Sequence, residues 1–256
     1  MKFWGPRTVS TDLYARTRLL LQDEGISLLR HAHVLVVGLG GVGGYAAEQL
    51  CRAGVGRLTL VDGDVVAPTN LNRQLIALRS TVGQPKAQLF QQRFYDINPD
   101  CQVVALQEYL RDERTVELLQ SDHYDCVVDC IDTLSPKVFL LYHAHRLSIP
   151  TVSSMGSGGK LDPSQVHAAD ISKSHTCPLA AMVRKRLHHM GVYTGIRVVF
   201  STEKVPPHAM VEDPSDNHLT TIGTISYMPP LFGCMIAAEV VFLLTQKHQP
   251  NPSNPQ

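Results

Sequence analysis

The 256-residue chain lacks an excess of charge of either sign. Twenty-three Lys and Arg offset 23 Asp and Glu, leaving a formal net charge of zero with its 12 histidines neutral. No global basic field exists to gather nucleic acid, so a polyanionic partner has to be met by a local patch. Among the six cysteines, at 51, 101, 126, 130, 177 and 234, there is no C-x-x-C pair, which argues against a zinc knuckle or a thioredoxin-type motif. No zinc is expected. Long apolar runs are scarce as well. Near the N-terminus there are only Leu19, Leu20 and Leu21, too few for a signal-peptide core, so a cytoplasmic protein with free thiols is expected. The apolar stretch 225–244 is interrupted by Pro229 and Pro230 and carries Glu239. A helix over 230–244 would be about 22 Å long at 1.5 Å per residue, short of the ~30 Å hydrocarbon layer. It reads as a core helix, with no membrane span.

What is present is an ordinary globular mix, 44% hydrophobic and 18% charged, which excludes disordered, collagen-like and coiled-coil chains. At roughly 150 residues per domain the length implies one large domain, or one with an appendage. Helical patterning covers residues 13–30, with Gly25 interrupting it. Short apolar, strand-like runs follow at 33–37, 58–62, 102–106, 126–131, 150–154 and 197–201, with helices at 43–53, 85–97 and 136–147. Strands alternating with longer helices predict a Rossmann-like, doubly wound, mainly parallel α/β sheet with helices on both faces and a C-terminal extension of the same domain. The partition expected is an N-terminal helical segment (1–30), one α/β domain (31–248) and a disordered tail (249–256).

Gly38, Gly40, Gly41 and Gly43 place G-x-G-x-x-G between the first strand and its helix. Such a turn lets backbone N–H groups approach a phosphate at a helix N-terminus. Alone the motif is weak, since close packing also asks for glycine. Asp62 strengthens it: 19 residues beyond Gly43, at the end of the second strand, a carboxylate can hold ribose hydroxyls. A polar cluster with Asp64, Asn70, Arg73 and Gln74 comes next, and Lys86 opens the following helix. A guanidinium fork and a compact ammonium suit a triphosphate attacked at its α-phosphorus better than a dinucleotide pyrophosphate. Asp132 follows the 126–131 strand at the carboxyl edge, where it can hold a magnesium ion bridging phosphates. Arg73 and Lys86 also read as solvated charges and Asp132 as a helix cap, while Asp129, inside the strand, reads as structural.

In the stretches 36–43, 53–62, 70–74 and 83–86 the chain resembles the ubiquitin-activating-enzyme superfamily, whose members adenylate carboxylates. The resemblance implies that Asp62 holds ribose, that Arg73 and Lys86 hold phosphates, that Asn70 and Gln74 line the site with Asp64 beside them, and that Asp132 coordinates Mg2+. It also implies a homodimer in which an N-terminal Tyr-x-Arg segment lends an arginine across the interface. Here that is Tyr14 and Arg16, with Arg18 as a substitute. Segments of the second half, at 162–166, 178–187, 199–203 and 226–233, look like the bacterial tRNA threonylcarbamoyladenosine dehydratases. These use ATP to cyclise the threonylcarbamoyl group of adenosine 37 in the tRNA anticodon loop, a tRNA-modifying ligase chemistry that passes through an acyl-adenylate.

Between Asp170 and Glu203 there is no acid, whereas Arg184, Lys185 and Arg186 lie together with Lys173, Arg197 and three histidines nearby. A local patch of this kind gives affinity for phosphates without reading sequence, and it is the candidate tRNA surface; a solvated helix face is the plainer reading. The loop 153–159 borders either the acyl group or nothing. Rival functions are an adenylyltransferase for the C-terminus of a ubiquitin-like sulfur carrier, an inert nucleotide-sensing module and an NAD-dependent dehydrogenase. Cys177 as a thioester nucleophile and docking of a sulfur-transfer protein belong to the first of these.

Overall fold

The computed structural model describes residues 12–212 and 220–245. In chain order these form α1 (Ala15–His31), β1 (His33–Val37), α2 (Gly43–Ala53), β2 (Arg57–Val61), α3 (Lys86–Ile97), β3 (Gln102–Leu106), α4 (Asp112–Gln120), β4 (Cys126–Asp129), α5 (Leu134–Arg146), β5 (Thr151–Ser154), β6 (Val166–Asp170), α6 (Pro178–His189), β7 (Arg197–Ser201), β8 (Met210–Glu212), β9 (Thr220–Ile222) and α7 (Met228–Thr245). The tail at 249–256 and the start of the N-terminal segment lie outside the described residues.

Seven strands form one sheet in the order β3-β2-β1-β4-β5-β7-β6. All pairings are parallel except β6 with β7, which gives the doubly wound α/β architecture expected from the sequence. β1 is buried at all five positions because helices cover both faces of the sheet, so its sequence is an apolar run and not an alternation. The chain builds outward from β1 to β2 and β3, then returns to lay β4 on the other side. The strand order therefore reverses between β1 and β4, and a crevice opens at their carboxyl ends.

One core packs α2 and α7 against the sheet through Ala46, Ala47, Leu50, Phe232, Ile236 and Val240. α7 is long and apolar enough by composition to cross a membrane, yet Met228, Phe232, Ile236 and Val240 are wholly buried in this core. A Cβ at Gly233 would stand 2.5 Å from the Val42 carbonyl oxygen, so the missing side chain lets α7 touch the start of α2. Pro229 and Pro230 fall in the first turn of α7, where the missing N–H groups leave no intrahelical bond unmade.

Several boundaries differ from the sequence reading. α1 breaks at Gln22 (φ 59°) rather than at Gly25, which is buried within the helix. β2 ends at Val61 and leaves Asp62 just past it, and β4 stops at Asp129. α4, the antiparallel strand β6 and the β8–β9 hairpin were not anticipated.

Candidate active site

The glycine-rich turn sits at the carboxyl end of β1, inside the crevice. Gly38 has φ +86°, and a Cβ on it would lie 2.7 Å from the Cys130 carbonyl oxygen; at Gly43 a Cβ would lie 1.8 Å from the oxygen of Gly38. Neither position admits a side chain, and the turn stays tight enough to aim α2 at the crevice.

Asp62 closes this turn. Its Oδ2 accepts from the Leu39 N–H at 2.6 Å and its Oδ1 from the Asp64 N–H at 2.8 Å. Burial pushes the Asp62 carboxyl up, against the pull of Lys86 and of the two N–H bonds. Each carboxylate oxygen keeps a lone pair free, so two ribose hydroxyls can still be accepted.

Lys86, in the first turn of α3, is 3% exposed. Its Nζ donates to Asp64 Oδ2 at 2.7 Å, its backbone N–H to the Asp64 carbonyl at 3.1 Å. The Tyr109 hydroxyl donates to the other oxygen, Asp64 Oδ1, at 2.6 Å. Burial alone would raise the Asp64 carboxyl, but the hydrogen bonds from Lys86 and Tyr109 outweigh it and hold the group below the usual carboxylate range.

The polar cluster after β2 divides into builders and candidates for contact. Asn70 is buried and builds: its Oδ1 accepts from the Ala67 N–H, and its carbonyl accepts from the N–H groups of Arg73 and Gln74. The half-buried Arg73 donates from Nη1 to the Thr69 carbonyl at 3.0 Å and to Asn72 Oδ1 at 2.8 Å. Its Cγ lies 3.3 Å from where a Cβ on Gly41 would stand, while Gln74 Nε2 is 3.7 Å from the same point over Gly40. Both residues therefore overlie the turn. Gln74 Oε1 is the buried side-chain atom without a hydrogen-bond partner among the described residues. Turning the amide over puts an NH2 there instead, a donor for a phosphate oxygen. A buried amide with an unpartnered atom beside a glycine turn is a group that a phosphate-bearing ligand could satisfy.

Across the crevice Asp132 is exposed between β4 and α5. The buried acid is Asp129, which accepts from Lys137 Nζ at 2.5 Å, Ser153 Oγ at 2.6 Å and the Ile131 N–H at 3.0 Å. Lys137 is wholly buried and donates also to the Ser154 carbonyl at 2.9 Å. This pair straps β4, α5 and β5 together under the site. Lys137 and Tyr109 went unnoticed in the sequence. A helical lysine reads as solvated, and its eight-residue spacing from Asp129 was the one available hint.

The cations proposed for other partners also differ in what they touch. Arg16 is exposed, whereas Arg18 is held by Asp12 at 2.8 Å and Asp23 at 2.7 Å. Tyr14 is buried, its ring lying where a Cβ on Gly54 would stand and under the Arg30 guanidinium. Arg184 donates from Nη1 to the carbonyl and hydroxyl of Ser174, fastening the turn at 171–174 to α6. Arg197 pairs with Glu239. Lys185 and Arg186 stay exposed, and Arg186 donates to Ser135 Oγ at 2.8 Å, three residues beyond Asp132. Cys177 is buried at the start of α6.

A family model described as the ThiF family matches residues 14–256. The chain belongs to this family. Within it, the chain is 46% identical over 190 residues to the tRNA threonylcarbamoyladenosine dehydratase of Bacillus subtilis, covering 74% of each chain. It is 37% identical over 228 residues to the Escherichia coli protein of the same name, covering 86% of this chain and 83% of that one. The E. coli tRNA N6-threonylcarbamoyladenosine dehydratase solved with ATP superposes with a TM-score of 0.83 at 34% identity, over 94% of this chain and 98% of that one. The E. coli protein has also been solved with AMP, at a TM-score of 0.82.

Proposed function

We propose that this ThiF-family chain is an ATP-dependent tRNA threonylcarbamoyladenosine dehydratase. The observation that carries the reading is the convergence, at the switch point of the sheet, of the glycine turn, Asp62, the buried Lys86 and the orphaned Gln74 amide. Relatives bearing that name over most of the chain support it.

The reaction begins with a carboxylate, which expels oxide poorly. An oxygen of the threonyl carboxylate attacks the α-phosphorus of ATP and pyrophosphate leaves. The ureido group of the same modification then attacks the acyl carbon, loses a proton, and AMP departs with the former carboxylate oxygen. The net change on the tRNA is loss of one water. Because nucleophile and electrophile share one side chain, ring closure draws on effective molarities of about 10⁵–10⁸ M and needs no enzyme nucleophile. Arg73 and Lys86 meet the charge growing on the phosphoryl oxygens. Asp62 holds the ribose.

Among the described residues no three His, Cys, Asp or Glu side chains gather into a metal site. One exposed carboxylate, Asp132, fits a magnesium ion that arrives with the phosphates and keeps most of its water. Bound there, Mg2+ would neutralise phosphate charge. Arg16 is the arginine that a second copy would lend, since Arg18 is already held by two acids. A homodimer, with residues 1–30 serving the interface and 31–248 the chemistry, completes the site. The tRNA backbone runs over Lys185 and Arg186, next to the Asp132 loop, in a cytoplasmic setting; a sulfur-transfer protein is proposed as a further partner.

The test is mass spectrometry of tRNA nucleosides after incubating threonylcarbamoylated tRNA with the protein, ATP and magnesium. Loss of one water from the modified adenosine, matched by AMP release, is the expected result. An unchanged nucleoside mass would refute the reading.

A further inference from the structure

Tyr109 lies in the segment after β3, outside the residues to which a role has been given. It is 62% exposed, and an exposed tyrosine is ordinarily loose. This one is held at three points. Its ring covers Gly63, where a Cβ would stand 2.6–2.7 Å from three of its carbons, so glycine between Asp62 and Asp64 is what admits the ring. The Arg111 guanidinium lies 5.9 Å from the ring centroid, within cation–π range. Its hydroxyl donates at 2.6 Å to the carboxylate whose other oxygen holds Lys86.

Asp64 is itself half exposed, at 49%. A half-exposed carboxylate held through one oxygen can swing about its terminal torsion, which is broad and roughly two-fold. A bond to each oxygen removes that freedom. The Asp62 N–H is meanwhile bonded to the Leu106 carbonyl, so the end of β3, which leads to Tyr109, is registered against the nucleotide turn.

Resting on the nucleotide reading above, we infer that Tyr109 is a positioning residue: by fixing Asp64 it holds the Lys86 ammonium in line for a phosphate oxygen of ATP. It acts on phosphate through two other side chains and not on the base. A charge-assisted bond to the tyrosine also draws density from the carboxylate, leaving more of the lysine charge for the ligand.

The experiment measures ATP and adenosine binding to the full-length protein in four forms: wild type, Tyr109→Phe, Lys86→Ala and the double variant. Phenylalanine keeps the ring over Gly63, and equal thermal unfolding of the wild-type and Y109F proteins checks that the fold is intact. Y109F is expected to weaken ATP about threefold to tenfold, the reach of one hydrogen bond of ordinary net strength, and to leave adenosine unchanged. In the Lys86→Ala background the same substitution should have no further effect, because the residue it works through is gone. Equal weakening of ATP and adenosine, or an undiminished effect in the Lys86→Ala background, would overturn the inference while leaving the nucleotide site standing. So would a Y109F protein that binds ATP normally. Normal ATP binding by Lys86→Ala itself is the separate outcome that removes the nucleotide role of Lys86, and this inference with it.

Discussion

Two of the three buried lysines among the described residues, Lys86 and Lys137, meet the same problem with opposite solutions. Lys86 is paired with a half-exposed aspartate and Lys137 with one that water does not reach. Removing Lys86 leaves Asp64 to be solvated, so Lys86→Ala is expected to stay folded and to lose AMP release in the presence of substrate tRNA. Undiminished AMP formation would exclude it from adenylation. Removing Lys137 strands Asp129 in a dry interior, and breaking such a pair typically costs about 3–5 kcal/mol. Lys137→Ala should therefore show a clearly lowered denaturant midpoint, and adding Asp129→Ala should recover part of the loss. A midpoint equal to wild type would mean that the pair is not a structural strap. The same contrast explains what the sequence disclosed. Asp62 and Lys86 were legible because they stand at fixed offsets from a glycine turn, where backbone geometry dictates chemistry. Lys137 and Tyr109 were not, since each depends on partners distant in the chain: Ser153 and Ser154 for one, Gly63 and Asp64 for the other.

At the scale of elements, the strands and helices of the first half were readable because each is local. β1 is a buried apolar run and α2 ends at Gly54 with φ +104°. β6 is legible only through its partner: Val166, His167, Ala168, Ala169 and Asp170 make no period-2 pattern, and pairing with β7 thirty-odd residues away is what makes them a strand. α4 opens at Asp112 with φ +45°, a conformation seldom chosen by a first helical residue, and α1 breaks at Gln22 with φ +59°, where no residue type announces it. Between α2 and α3 the clamp is ionic. Glu48 receives Arg93 at 2.6 Å and Arg52 at 2.9 Å. Burial would raise its carboxyl, but the two guanidinium groups outweigh that and depress it. A carboxyl depressed in the folded state contributes stability that is complete above its unfolded value and lost as pH falls through the folded one. The melting temperature should therefore drop below about pH 4. Glu48→Gln should melt lower at neutral pH and vary less in that acid range. A parallel pair of melting profiles would show that the clamp contributes nothing to acid lability.

At the scale of the whole molecule, the crevice at the carboxyl ends of β1 and β4 carries the proposed adenylating site, and the exposed Arg16 stands near the start of the helix before the sheet begins. Tyr14 is buried against the end of α2, so the segment carrying Arg16 is anchored while its guanidinium faces outward. An arginine presented in this way can serve its own site or, as proposed, that of another copy. A mixing experiment decides between the two. Arg16→Ala and Lys86→Ala proteins should each be nearly inactive in tRNA cyclisation. If Arg16 acts across a dimer, a subunit carrying Arg16→Ala still offers its own Lys86 and receives Arg16 from a partner carrying Lys86→Ala. Random exchange of equal amounts makes half of the dimers mixed, and each mixed dimer has one intact site, so activity should return to about a quarter of the wild-type level. Arg16 acting within its own subunit would leave every site in the mixture missing one group or the other, and no activity would return however long the exchange.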